Sequence, residues 1–276
     1  MIKLNLSLIN TEEVKYMTLK NLIKAEFVML WGELKNYYLN YIFYNLSTLI
    51  AFIGLFYSFR NNKSQSSLLL LFGLVTWQLC STAISYMAGV IQDEAMMGTL
   101  EQIFMTRTSV IGVFASKIVV NCTFCVCKAM IIFIICSLVF NVQNNILTLG
   151  YKNLFIILIM ILCVISFYTL GLVFGGLTLY FKKVQPVCNV FTYILLFFTG
   201  ITTSVSGLPK IIQSISYCIP ITWANRCFDQ IVNKGLSYSN DMIFLLLNVA
   251  IYTFLGYIAF THCIKKAKKL GKLGQY

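Results

Sequence analysis

The chain has 276 residues, 59% hydrophobic and only 11% charged, with 21 Lys and Arg against 9 Asp and Glu for a formal net charge of +12. A soluble domain of this length cannot hide so much apolar surface, so lipid has to be the solvent for most of it. The surplus of cations then reads as basic loops held on the cytoplasmic side, and a nucleic-acid interface is excluded.

Residues 1–38 are polar, include Glu12, Glu13, Glu26 and Glu33, and lack the apolar region of a cleavable signal peptide. Val14, Met17, Leu22, Phe27, Leu30 and Leu34 recur at helical spacing among charges. That pattern predicts an amphipathic helix at the membrane surface, with Trp31, Tyr37 and Tyr38 at headgroup level.

Six apolar segments follow, each long enough to cross a bilayer, near 39–59, 67–92, 111–140, 153–181, 187–206 and 241–264. With both termini inside, only Arg60, Lys63, Lys152, Lys210, Arg226 and Lys234 of the basic residues fall outside, apart from Lys128 within a span. The positive-inside rule therefore predicts cytoplasmic termini. The tail at 265–276, KKAKKLGKLGQY, suits anionic headgroups.

Between the second and third spans lies DEAMMGTLEQIFMTRTS, Asp93 to Ser109. Met96, Met97, Leu100, Ile103 and Phe104 share one helical face, with Glu94, Glu101, Gln102 and Thr106 mostly off it. A short helix of this kind can rest its apolar face in a groove on a partner protein or on lipid.

The third span contains Lys128, about 16 Å along the helix from Lys117. An ionisable group that deep is a candidate for a translocation path, the alternative being a snorkelling lysine. Cys122, Cys125 and Cys127 cluster in this span without a His or carboxylate, so no metal site is expected. In the fourth span Gly171 and Gly175, followed by Gly176, permit close helix approach, within the chain or across a dimer.

The outer segment 207–240 is too apolar for a solvated loop yet is broken by Pro209 and Pro220, which predicts two short helices dipping into the outer leaflet. Cys218 and Cys227 fall within it, and their pairing is left open.

The sequence also speaks against several chemistries. It has no phosphate-binding GxxxxGK[ST] loop, a single histidine at His262, and no carboxylate deep in a span. Hydrolytic, metalloprotease and ion-coupled mechanisms all lack their residues. A transporter built this way has to take its energy from another subunit.

Taken together, these residues resemble the membrane subunit of type-2 ABC exporters. Glu94, Gly98, Thr99, Leu100, Glu101, Thr106 and Lys117 match a family pattern between spans two and three, and Leu208, Pro209, Pro220, Ile221, Thr222 and Trp223 match an outer re-entrant hairpin. Ala95 and Arg107 depart from it, standing where a basic residue and a proline are usual.

The resemblance covers nearly the whole chain and implies an all-α polytopic membrane protein of one permease domain: interfacial helix 1–38, six-span bundle 39–264 and basic tail. It implies an ATPase-coupling interface at Asp93, Glu94, Met97, Gly98, Thr99, Leu100, Glu101, Ile103, Phe104 and Arg107. Leu208, Pro209, Pro220, Thr222, Trp223 and Arg226 would form the hairpin.

The expected partners are two copies of an ABC ATPase subunit, which would carry ATP and Mg, a second permease chain and membrane lipids. This chain would hold no cofactor and catalyse no bond-breaking. The expected activity is ATP-driven export of a bacteriocin- or toxin-like peptide or a hydrophobic drug from the bacterial cytoplasmic membrane, the Ile, Asn, Lys and Phe bias suggesting an AT-rich genome. The alternatives are export of lipid or polysaccharide, a stand-alone channel or ion-coupled carrier, and a membrane scaffold or sensor.

Overall fold

The computed structural model describes residues 19–60, 66–106, 108–202, 205–234 and 240–270, and every regular element among them is helical. In chain order these are α1 (Leu19–Asn36), α2 (Tyr38–Arg60), α3 (Ser67–Met96), α4 (Thr99–Met105), α5 (Val110–Val139) and α6 (Gln143–Leu149). They continue as α7 (Lys152–Phe181), α8 (Gln185–Phe198), α9 (Lys210–Cys218), α10 (Pro220–Asp229) and α11 (Asn240–Leu270). The polytopic all-α class expected from the apolar runs and the family resemblance is what the chain adopts.

The bundle is organised around α7, whose most extensive pairings are with α3 on one side and α11 on the other. Glycine makes both approaches close. A Cβ on Gly171 would lie 2.5 Å from the Ala83 carbonyl oxygen, and one on Gly175 would lie 3.2 Å from the Met87 Cβ, both on α3. A Cβ on Gly176 would lie 2.9 Å from the Cys263 Cβ on α11, and one on Gly256 would overlap the Thr169 carbonyl on α7. The GxxxG contact is thus made within the chain. Packing of this kind replaces the hydrophobic drive that lipid removes.

Among the described residues five helices, α2, α3, α5, α7 and α11, are long and apolar enough to cross a bilayer. The fifth expected span, 187–206, is realised as the 14-residue α8, about 21 Å long where a 30 Å core asks for roughly 20 residues. It ends at Thr199, and Gly200 follows with φ of 85°, a conformation that cannot continue a right-handed helix. The chain then turns into the hairpin instead of extending the span. A short helix that the sequence does not announce, α6, joins α5 to α7 and is pinned by the Asn153 amide donating to the Ile146 carbonyl at 2.9 Å.

α1 and α2 both advance along α5. Leu22 lies near Gly112 and Glu26 reaches Lys117 from α1. From α2, Tyr41 meets Phe124 edge-on and Phe56 stacks on Phe140. α1 leaves Phe27, Val28, Met29 and Trp31 exposed and buries no residue fully, as expected of a helix offering an apolar face to lipid.

Two cores result. The larger joins α2, α3, α5, α7, α8, α10 and α11. The smaller closes the end where α4 sits and contains Met87, Ile91, Leu100, Phe114, Leu179 and Phe260.

Candidate functional site

The turn from α3 into α4 comes from Gly98, whose φ of 72° lets the backbone reverse where a side chain would strain it. α4 has only 7 residues, too few to be stable alone, so its place is set by what it packs against. Leu100 is 1% exposed in the smaller core and anchors it. The face predicted from periodicity therefore divides. Leu100 points into the bundle, Ile103 and Phe104 are half-buried, and Met96, Met97 and Met105 stand out at 69%, 75% and 82% exposure. Asp93, Gly98, Glu101 and Gln102 are exposed beside them, while Arg107 lies outside the described residues.

Glu94 is not part of that outward surface. Its carboxylate pairs with the Lys117 ammonium at 3.1 Å, which also pairs with Glu26 of α1 at 3.2 Å. The Thr99 hydroxyl hydrogen-bonds to the Glu94 carboxylate and approaches its carbonyl at 3.1 Å. The Tyr86 hydroxyl donates to the Lys117 carbonyl at 3.2 Å. The side chains are 7% exposed at Lys117, 19% at Glu26 and 17% at Glu94. One buried cation thus ties the interfacial helix, the end of α3 and the start of α5 into a single node. Glu26 was noted in the sequence only as a charge on an amphipathic helix; nothing in its local pattern marks it as Lys117's second partner.

Lys128 lies deeper in α5, its ammonium 4.8 Å from the centre of the Tyr44 ring. The two line an open cavity of about 580 Å³ with Glu33, Tyr37, Tyr41, Tyr86 and Asn121, between α1, α2, α3 and α5. The neighbouring cysteines differ in setting: Cys125 is buried and donates to the Asn121 side-chain oxygen at 3.5 Å, whereas Cys127 is exposed.

The hairpin of α9 and α10 is a polar-stapled structure. α9 and α10 meet at Ile219 and Pro220, with Pro220 in the first turn of α10, where its missing N–H costs nothing. Leu208 and Pro209 lead into α9, Pro209 as its N-cap. The Thr222 hydroxyl donates to the Ser216 carbonyl at 2.7 Å, and the Ser216 hydroxyl to the Phe198 carbonyl at 2.6 Å. The Trp223 indole donates to the Tyr217 carbonyl at 2.7 Å.

Arg226 stacks over Tyr217 and Trp223 and meets Asp241 of α11 at 3.8 Å. With Asn225, Asp229 and Gln230 it lines a polar cavity of about 370 Å³. Cys218 is exposed and Cys227 buried, and both are free thiols.

The comparisons with known proteins agree with this architecture. The ABC-2 type transporter family matches the chain over residues 17–232, from α1 through the hairpin. Among curated proteins nothing matches the chain.

Proposed function

We propose, for a chain that belongs to the ABC-2 type transporter family and is therefore a transmembrane subunit of an ABC transporter, that it forms the outward path for a peptide or hydrophobic drug-like cargo. The ATP is hydrolysed on two copies of a separate ATPase subunit, and a second permease chain completes the path as a homodimer or a related heterodimer. The chain sits in a bacterial cytoplasmic membrane with both termini inside.

The observation that carries this reading is the α3–α4 turn. Its tip offers Met96, Met97 and Met105, flanked by Asp93 and Glu101, an adaptable apolar surface with an acidic rim. The same short element is fixed to the bundle from behind by Leu100 and the Glu94–Lys117–Glu26 node. A push on the tip passes directly to α1, α3 and α5. Closure of the ATPase pair on ATP delivers that push.

Mixed linings support the cargo class. The outer cavity combines an ion pair and amides with the Tyr217 ring, which suits a chain with both polar and apolar parts more than a uniformly polar glycan.

The test is co-expression with an ABC ATPase subunit and purification in detergent. Met97→Asp with Met96→Asp should break the co-purification while the chain still folds. Recovery of a full complement of ATPase with that variant would refute the docking surface.

A further inference from the structure

The cavity around Lys128 has a chemistry that the coupling node does not use. Tyr44 is six residues beyond Tyr38, where α2 begins, or about 9 Å further into the membrane. On the proposed orientation, with α2 entering the membrane at Tyr38 from the inside, the ammonium beside its ring lies within the inner-leaflet hydrocarbon. Among the described residues no carboxylate comes within 4.0 Å of it. A cation held at that depth without a counter-charge is costly.

Asn121, in the lining with Lys128, offers donors. The Asn121 side-chain oxygen already accepts from the Tyr168 hydroxyl at 2.7 Å and from the Cys125 thiol, which leaves its amide N–H donors for a ligand. The Tyr86 hydroxyl is engaged with Lys117. Glu33 is exposed in the lining, so the carboxylate of the cavity is solvated, while the deep cation has the Tyr44 ring beside it and no counter-charge. Donors and a cation in an open pocket at this depth recognise an acceptor carrying negative charge.

We propose that this cavity binds an anionic amphiphile from the inner leaflet, a single carboxylate or phosphate on a hydrocarbon chain, with the charged group on Lys128 and the Asn121 amide and the chain in the surrounding lipid. The same chemistry is offered by a resident acidic phospholipid and by a free acid, and the test separates them.

The full chain is placed in phosphatidylcholine nanodiscs without ATP. Stearic acid, phosphatidylglycerol and phosphatidylcholine, each spin-labelled on the acyl chain, are added in turn. The fraction of motionally restricted label is read by paramagnetic resonance. The wild-type chain should restrict an anionic probe about five-fold more than the zwitterionic one. A preference confined to phosphatidylglycerol identifies a resident lipid, and one that includes stearic acid identifies free acids.

Lys128→Met should lower the preference to about one-fold and Lys128→Arg should keep it, whereas Lys210→Gln, removing an outer charge, should change nothing. Equal restriction of all three probes by the wild-type chain overturns the proposal without any variant having to fold. A preference that survives Lys128→Met overturns it equally. Since no ATPase takes part, either failure leaves the transporter reading where it stands.

Discussion

Replacing Lys117 with methionine removes the one cation between two carboxylates and keeps the aliphatic stem. Glu26 and Glu94 then face each other with side chains only 19% and 17% exposed. Taking one partner from a fully buried pair costs roughly 3–5 kcal/mol. The remaining access of water to both carboxylates brings the figure for Lys117→Met to about 2–3 kcal/mol. For a chain of this size that corresponds to a fall of about 5–10 °C in the thermal unfolding midpoint, read by intrinsic fluorescence in detergent.

Adding Glu26→Gln and Glu94→Gln should return the midpoint to within about 3 °C of wild type, because it removes the two uncompensated charges that make the single variant costly. The two variants separate stability from transmission. If the node carries motion from α4 to α1 and α5, the neutral triple variant regains its midpoint while ATP hydrolysis in the complex stays insensitive to cargo. An unchanged midpoint for Lys117→Met would show that solvent screens the three charges, and the energetic reasoning would collapse.

The other expectations rest on individual contacts. Gly171→Ala should destabilise the chain by about 1–3 kcal/mol, since its Cβ would meet the Ala83 carbonyl. Gly54→Ala, with open space around it, should be neutral or stabilising by up to about 1 kcal/mol, and the pair can be compared by the same thermal assay. Leu100→Ala should cost about 2–5 kcal/mol, whereas Met97→Ala should leave the midpoint unmoved and weaken only ATPase co-purification. In intact cells a membrane-impermeant maleimide should label Cys218 and spare Cys227. Cys218 is exposed, whereas burial, reinforced by Asp241, pushes the Cys227 thiol up to about 12, keeping it in the unreactive thiol form. Labelling of Cys218 only after permeabilisation would reverse the assigned orientation.

How much of this was legible in the sequence depended on the range of the interaction. Hydropathy is a local property, so the helices α2, α3, α5, α7 and α11 could be read from runs of apolar residues. The fifth span could not, because the length of α8 is decided by a single backbone turn at Gly200 inside a run that stays apolar into residue 201.

Periodicity identified one face of α4 but could not say which way its members point. A helix of seven residues has no orientation of its own, and Leu100 is inward only because Met87, Ile91, Phe114 and Phe260 converge on it from elements far apart in sequence. The same limit hid Glu26. Its pairing with Lys117 spans 91 positions, and an acidic residue on an amphipathic helix is ordinarily a solvated one.

What the fold adds is therefore mostly the sorting of a known set of residues. Glu94, grouped by sequence with the docking surface, turns inward to hold Lys117. The methionines around it become the exposed surface. A carboxylate at the tip could be matched by any basic partner, and its strength would vary with salt. Methionines fit by contact and keep their grip at any ionic strength. If the acidic rim only steers the approach, raising salt should slow assembly with the ATPase and leave the rate of dissociation nearly constant. A dissociation rate that climbs steeply with salt would move the binding energy back to Asp93 and Glu101.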